Sequence, residues 1–169
     1  MAPAWGNAVP VSIAGLRTDH APDAIPASHR DLVDCPPVAA LSTLMPAGGP
    51  QTSVVWCDYA DGFVRVNTMR GFAKERHMRR DPRVTLLCYD PARPGRYLEI
   101  RGIADEMTEV GAMAHLDGLA SRYAGRTVRY FGDVIPAGFA ESEVPVLCLI
   151  RPIRVVAMDA DAPDAGAVR

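Results

Sequence analysis

Asp61-Gly62 stands between two runs of alternating apolar and polar residues, Gln51 to Asp58 and Phe63 to Asn67. An Asp-Gly pair at such a junction specifies a two-residue hairpin, because both central positions of the favoured turn need positive φ. The two runs are therefore adjacent antiparallel strands. Similar punctuation recurs along the chain: Pro46-Ala-Gly-Gly-Pro50 follows the apolar run Val38 to Met45, and Asp90-Pro-Ala-Arg-Pro-Gly95 separates Val84–Tyr89 from Tyr97–Met107. Val144 to Met158 reads as a last long strand, in which Pro145 and Pro152 point to sheet edges. Helical spacing is confined to a short segment at Ser28–Asp34, a basic one at Gly71–Arg80 and an amphipathic one at Glu109–Tyr123.

The order is thus β-β-β-α-β-β-α-β. Hairpin-linked strands dominate, so the sheet is expected to be antiparallel, and six such strands hide their edges best by closing into a small barrel with short flanking helices, a mainly β fold. No Gly-x-Gly-x-x-Gly occurs and strands do not alternate with crossover helices, which argues against a parallel dinucleotide-binding sheet. The expected organisation is an N-terminal arm over residues 1–27, rich in proline, a barrel domain over 28–159, and a tail over 160–169.

Composition narrows the function classes. The formal charge of −2 gives no general attraction to nucleic acid or to an anionic membrane, and no apolar run approaches the ~18 residues of a membrane span. No secretory leader is visible at the N-terminus, so a cytoplasmic protein is expected. Cys35, Cys57, Cys88 and Cys148 form no CxxC pair and no metal-ligand spacing, and read as reduced thiols in a reducing compartment.

The segment from Val64 to Pro82 carries the clearest chemistry. Asn67 and Thr68 end a strand, and Lys74 opens a helix that also holds Arg76, Arg79 and Arg80. At such a junction a hydroxyl, an ammonium and backbone N–H groups can gather around one phosphate. The alternative is a solvated basic face on a surface helix. A nucleic-acid site is disfavoured, because no aromatic stripe accompanies the cations. His115 reads as structural or exposed. The stretch Arg122 to Phe131 mixes cations and aromatics, and reads either as a connector or as a cover over a ligand.

Four strings, in this order and spacing, resemble the pyridoxamine-phosphate-oxidase-like split-barrel superfamily, and within it the F420-dependent flavin/deazaflavin oxidoreductase B group. They are Val38-Ala-Ala-Leu-Ser-Thr-Leu44, Gln51-Thr-Ser-Val-Val-Trp56, Lys74 through Arg79-Arg80-Asp81-Pro82, and Arg96-Tyr-Leu-Glu-Ile-Arg-Gly102. The resemblance implies an FMN-binding-like split barrel and a homodimer with two cofactor sites at its interface. It implies that Ser53, Val55 and Trp56 lie along the cofactor ring system. Asn67, Thr68 and Lys74 would hold the ribityl chain and phosphate, Arg79 or Arg80 would add charge further out, and Arg96 and Tyr97 would reach the partner's cofactor. The implied activity is hydride transfer between coenzyme F420 and a small conjugated substrate such as an enone, quinone or tetrapyrrole. An FMN enzyme of the pyridoxamine-phosphate-oxidase type and a non-catalytic flavin or F420 carrier are the alternatives. Two departures stand out: relatives often carry Arg shortly before the lysine, where this chain has Phe72 and Ala73, and His77 stands where Asn is frequent.

Overall fold

A computed structural model describes residues 25–34 and 38–160. The expected arm and tail fall almost wholly outside these residues, as does Cys35. Seven strands form one antiparallel sheet: β1 (Val38–Leu44), β2 (Pro50–Val55), β3 (Cys57–Ala60), β4 (Phe63–Met69), β5 (Arg83–Asp90), β6 (Arg93–Thr108) and β7 (Pro145–Asp159). Helices α1 (Asp31–Asp34), α2 (Ala73–Arg80) and α3 (Ala112–Ala124) flank it, with a 3-10 turn at Ala27–His29 preceding α1.

The strand count corrects the expected six. The sheet order is β2-β1-β5-β6-β7-β4-β3, so the run from Gln51 to Asp58 supplies both edges. Ala39 to Leu44 pair with residues Val55 to Pro50, whereas Cys57 pairs with Val66 and Asp58 with Arg65. The chain changes partner at Trp56, and there the curled sheet brings its two ends together. Alternation within the run gave no sign of this corner, because the period of two continues on both sides of it.

The turn chemistry held. Asp61 and Gly62 have φ of 54° and 83°, as the hairpin between β3 and β4 requires. Asp90–Gly95 is tighter than expected: β6 begins at Arg93, paired with Asp90. The prolines of β7 sit where ladder bonds are dispensable. β7 is central over its first half, where Pro145 opens the strand opposite Met69 and Ile150 is the last residue paired with β4; Pro152 follows just beyond, beside a bulge in the β6 register.

The interior is filled from every strand. Leu41, Val64, Val66, Leu86, Leu98, Ile100 and Ile150 have no exposed surface, and each such burial contributes roughly 1.5–3 kcal/mol. Leu32 and Val33 of α1 and Ile25 close one end of this core, and Met78 of α2 joins it. Arg96 ties the N-terminal turn to the sheet. Its guanidinium donates to both Asp31 carboxylate oxygens, at 2.8 and 2.6 Å, and to the Ser28 carbonyl at 2.6 Å. No helix among the described residues is long and apolar enough to cross a membrane.

Candidate functional site

A cavity of about 500 Å³ opens where the sheet turns its corner. Val55 and Trp56 come from that corner, Asn67, Thr68 and Met69 from the end of β4, and Lys74 from the first turn of α2. Leu116 and Leu119 of α3 form a further wall, and Tyr130, Ile135 and Phe139 reach it from the long segment before β7. Phe72, Val134, Phe139 and Val54 expose apolar surface around it. The Trp56 ring stacks on Tyr123 and meets Tyr130 edge-on at 5.9 Å. Such a concave, mainly apolar site with few polar groups and four aromatic rings suits a planar ligand.

The polar groups are few and unspent. Thr68 is 5% exposed, and its Oγ1 is buried with no hydrogen-bond partner among the described residues; the same holds for Asn67 Oδ1. Lys74 is half-buried, and burial lowers its pKa from the ordinary lysine value; the nearby Cys148 thiol opposes this weakly. Among the described residues no carboxylate pairs with it, although Glu143 lines the same cavity. The adjacent Glu75 is spoken for, since it accepts from the Gly71 N–H at 3.2 Å and pairs with Arg79 one turn on. Unsatisfied buried acceptors and an uncompensated buried ammonium each carry a free-energy cost that an anionic, hydroxyl-bearing ligand would remove. A flavin or deazaflavin phosphate and its polyol chain fit this donor set.

Five of the ten residues singled out from sequence therefore meet here: Val55, Trp56, Asn67, Thr68 and Lys74. The other five do not line the cavity of one chain. Ser53 lies on β2 short of the corner. Arg79 is held by Glu75, and Arg80 donates to the carbonyls of Leu44, Met45 and Pro46. Arg96 is buried in its pair with Asp31, and Tyr97 lies on β6 opposite Met158 and Tyr89. Of the two departures, Phe72 becomes part of the cavity rim, and His77 is buried with Nδ1 3.1 Å from the Thr43 hydroxyl.

Sequence reasoning missed a polar cluster behind the cavity. Asp58 is 3% exposed and lies directly across the β3–β4 ladder from Arg65, which grips both its oxygens at 2.7 and 2.6 Å. His115 Nε2 lies 3.2 Å from Asp58 Oδ1, and Arg122 is 3.6 Å from Oδ2. Burial alone would raise the Asp58 pKa, but the hydrogen bonds from His115 and Arg65 outweigh it and hold the carboxyl well below the usual range. The cross-strand positions of Asp58 and Arg65 were legible from the hairpin register; His115, 57 residues away, was not. Tyr130 was flagged only as part of a stretch that covers a ligand or connects elements, and it forms part of the cavity wall.

The sequence model for pyridoxamine 5'-phosphate oxidase matches residues 25–145. No curated protein matches the chain significantly. Among solved structures, an F420 reductase is similar at 26% identity and a TM-score of 0.66, over 78% of this chain and 98% of that one. A conserved hypothetical protein from Mycobacterium tuberculosis is 24% identical, with a TM-score of 0.63 over 83% of this chain and 88% of its own. A putative pyridoxamine 5'-phosphate oxidase from Listeria innocua shares the fold at 18% identity and a TM-score of 0.51, over 73% of this chain and 89% of that one. The corner-turning sheet and the matched span together make this chain a member of the pyridoxamine 5'-phosphate oxidase family, with that family's flavin-binding type of split barrel.

Proposed function

We propose that the protein is an F420-dependent oxidoreductase that works as a homodimer in the cytoplasm. The observation that carries this reading is the cavity that joins an aromatic wall to an uncompensated, half-buried Lys74 and the unpartnered Asn67 and Thr68 oxygens. The similarity to an F420 reductase supports it. When bound, F420 supplies a hydride donor or acceptor, and the chain supplies orientation and electrostatics. Lys74 and Thr68 hold the phosphate end, Asn67 the polyol chain, and Val55 and Trp56 flank the ring system. Leu116, Tyr130, Ile135 and Phe139 add an apolar wall, which favours planar, electron-poor acceptors such as enones, quinones or tetrapyrroles. Buried Cys88 and Cys148, which form no disulfide among the described residues, accord with a reducing compartment.

FMN is the second reading, favoured by the family match itself. Its phosphate is terminal and doubly charged, whereas Lys74 is the one cation among the residues lining the cavity, which suits the less concentrated charge of F420 better.

Titrating the purified protein with F420 and with FMN, followed by fluorescence and absorbance, separates the readings. Micromolar affinity for F420 with no FMN binding is expected. The reverse result replaces F420 by FMN, and binding of neither removes the oxidoreductase reading. Tight F420 binding without turnover of any enone or quinone would make the protein a carrier.

A further inference from the structure

The cluster behind the cavity is connected to it through one amide. Asn67 Nδ2 donates to the Ala112 carbonyl at 2.8 Å, and the same nitrogen lies 3.3 Å from His115 Nδ1. His115 Nε2 faces the Asp58 carboxylate, which only accepts, so the ring donates there through Nε2–H. Asn67 Nδ2 can only donate, so His115 Nδ1 beside it accepts and carries no proton. Both amide hydrogens of Asn67 are thereby consumed on the protein side. What remains is Oδ1, a buried acceptor without a partner among the described residues, on a residue that lines the cavity.

We propose that Asp58 and His115 are positioning residues that fix the Asn67 amide with its nitrogen turned into the protein, so that the cavity presents an acceptor there and selects a ligand carrying an O–H or N–H at that point. This rests on the cavity being the cofactor site and deepens that reading. The chain of control runs from a carboxylate to an imidazole tautomer to an amide orientation. Each link is set by which atom can donate. Arg65 and Arg122 on one side of Asp58 hold the carboxylate in place, and the Ala112 carbonyl gives the amide a second reason to keep its nitrogen inward. A polyol hydroxyl is the simplest group that meets the demand. A ligand offering only acceptors at that position would be rejected, because two acceptors would be buried against each other.

A double-mutant cycle tests this with F420 and FMN as probes, read by binding titration, with thermal unfolding followed in parallel. Whichever cofactor the wild type binds, Asn67→Leu is expected to weaken it roughly 3- to 10-fold, the effect of one neutral hydrogen bond. His115→Phe, which fills the ring space without an acceptor, is expected to lose a similar factor. In the Asn67→Leu background it is expected to lose little more, because His115 acts on the ligand only through the Asn67 amide. His115→Gln, whose side-chain carbonyl can accept from Asn67, is expected to regain most of the affinity. Additive losses, no loss in His115→Phe, or failure of His115→Gln to restore binding in a normally stable protein would overturn the proposal. If His115→Phe does not fold, nitrogen NMR of the wild-type imidazole decides: an Nε2-protonated ring upholds it and an Nδ1-protonated ring ends it. Wild type binding neither cofactor would instead count against the proposed function and leave the tautomer result standing by itself.

Discussion

The indole of Trp56 lies on the ring of Tyr123 with centroids 5.2 Å apart and planes 20° from parallel. This stack fastens the sheet corner to the end of α3 and forms one side of the cavity mouth. Trp56→Ala is expected to destabilise the protein by about 2–3 kcal/mol, below the usual range for a fully buried tryptophan because Trp56 is only half-buried. Trp56→Phe is expected to cost less than half as much, since it keeps a ring against Tyr123. Urea denaturation of the three proteins measures both. With Trp5 replaced by Phe, the remaining indole is Trp56, and cofactor binding is expected to quench its emission.

Lys74→Ala is expected to weaken cofactor binding by ~1.5–3 kcal/mol, as for a lost hydrogen bond to a charged group. The pH dependence follows from burial. The Lys74 pKa is lowered in the empty fold, and an anion beside it stabilises the protonated form. Affinity is therefore expected to be full below that lowered value and to fall as pH rises through it, starting at a lower pH than an ordinary lysine would give. Lys74→Arg is expected to remove the fall. A titration series from neutral to alkaline pH reads it, and a flat profile in the wild type would separate Lys74 from the anion.

Asp58→Asn leaves Arg65 and Arg122 without their carboxylate. It is expected to destabilise the fold by about 3 kcal/mol, the scale for breaking a buried ion pair. Asp58 is held ionised below the usual range, so its contribution is present above about pH 4 and is lost as pH falls through its depressed folded value. Acid unfolding of Asp58→Asn should lack that component, which melting temperatures recorded across acidic pH report.

Gly102 allows a close approach inside the sheet. A Cβ there would lie 2.6 Å from Ile150 Cγ2 and 2.9 Å from the Arg151 carbonyl oxygen. Gly102→Ala is expected to cost roughly 1–3 kcal/mol through overpacking at the β6–β7 bulge. Adding Ile150→Val, which trims the deeper clash only if Cγ2 can rotate away, is expected to recover part of that loss at most, because the carbonyl contact persists. Chemical denaturation of both variants checks this.

Local signals in the sequence carried much of the fold. Asp61-Gly62 set one hairpin, and the glycine- and proline-rich stretches marked the others. The strand-to-helix junction was legible too, since Asn67, Thr68 and Lys74 are close in the chain and their convergence needs only that the strand end where the helix begins. What escaped was non-local. Trp56 alternates in register with its neighbours, so nothing in the pattern marks it as the corner. Arg79 was assigned to a ligand although Glu75, four residues earlier on the same helix, was an available partner. Arg96 looked like a site residue, but its partner Asp31 lies 65 residues away, beyond the reach of any periodicity. His115 had no visible role because its two partners sit on strands formed far earlier in the chain.

The single residue between β2 and β3 leaves that seam no slack. A sheet whose first and last rows are successive stretches of one backbone cannot slide one row past the other without stretching the peptide that links them. The cavity wall built from Val55 and Trp56 is therefore tied at once to both rows of the sheet.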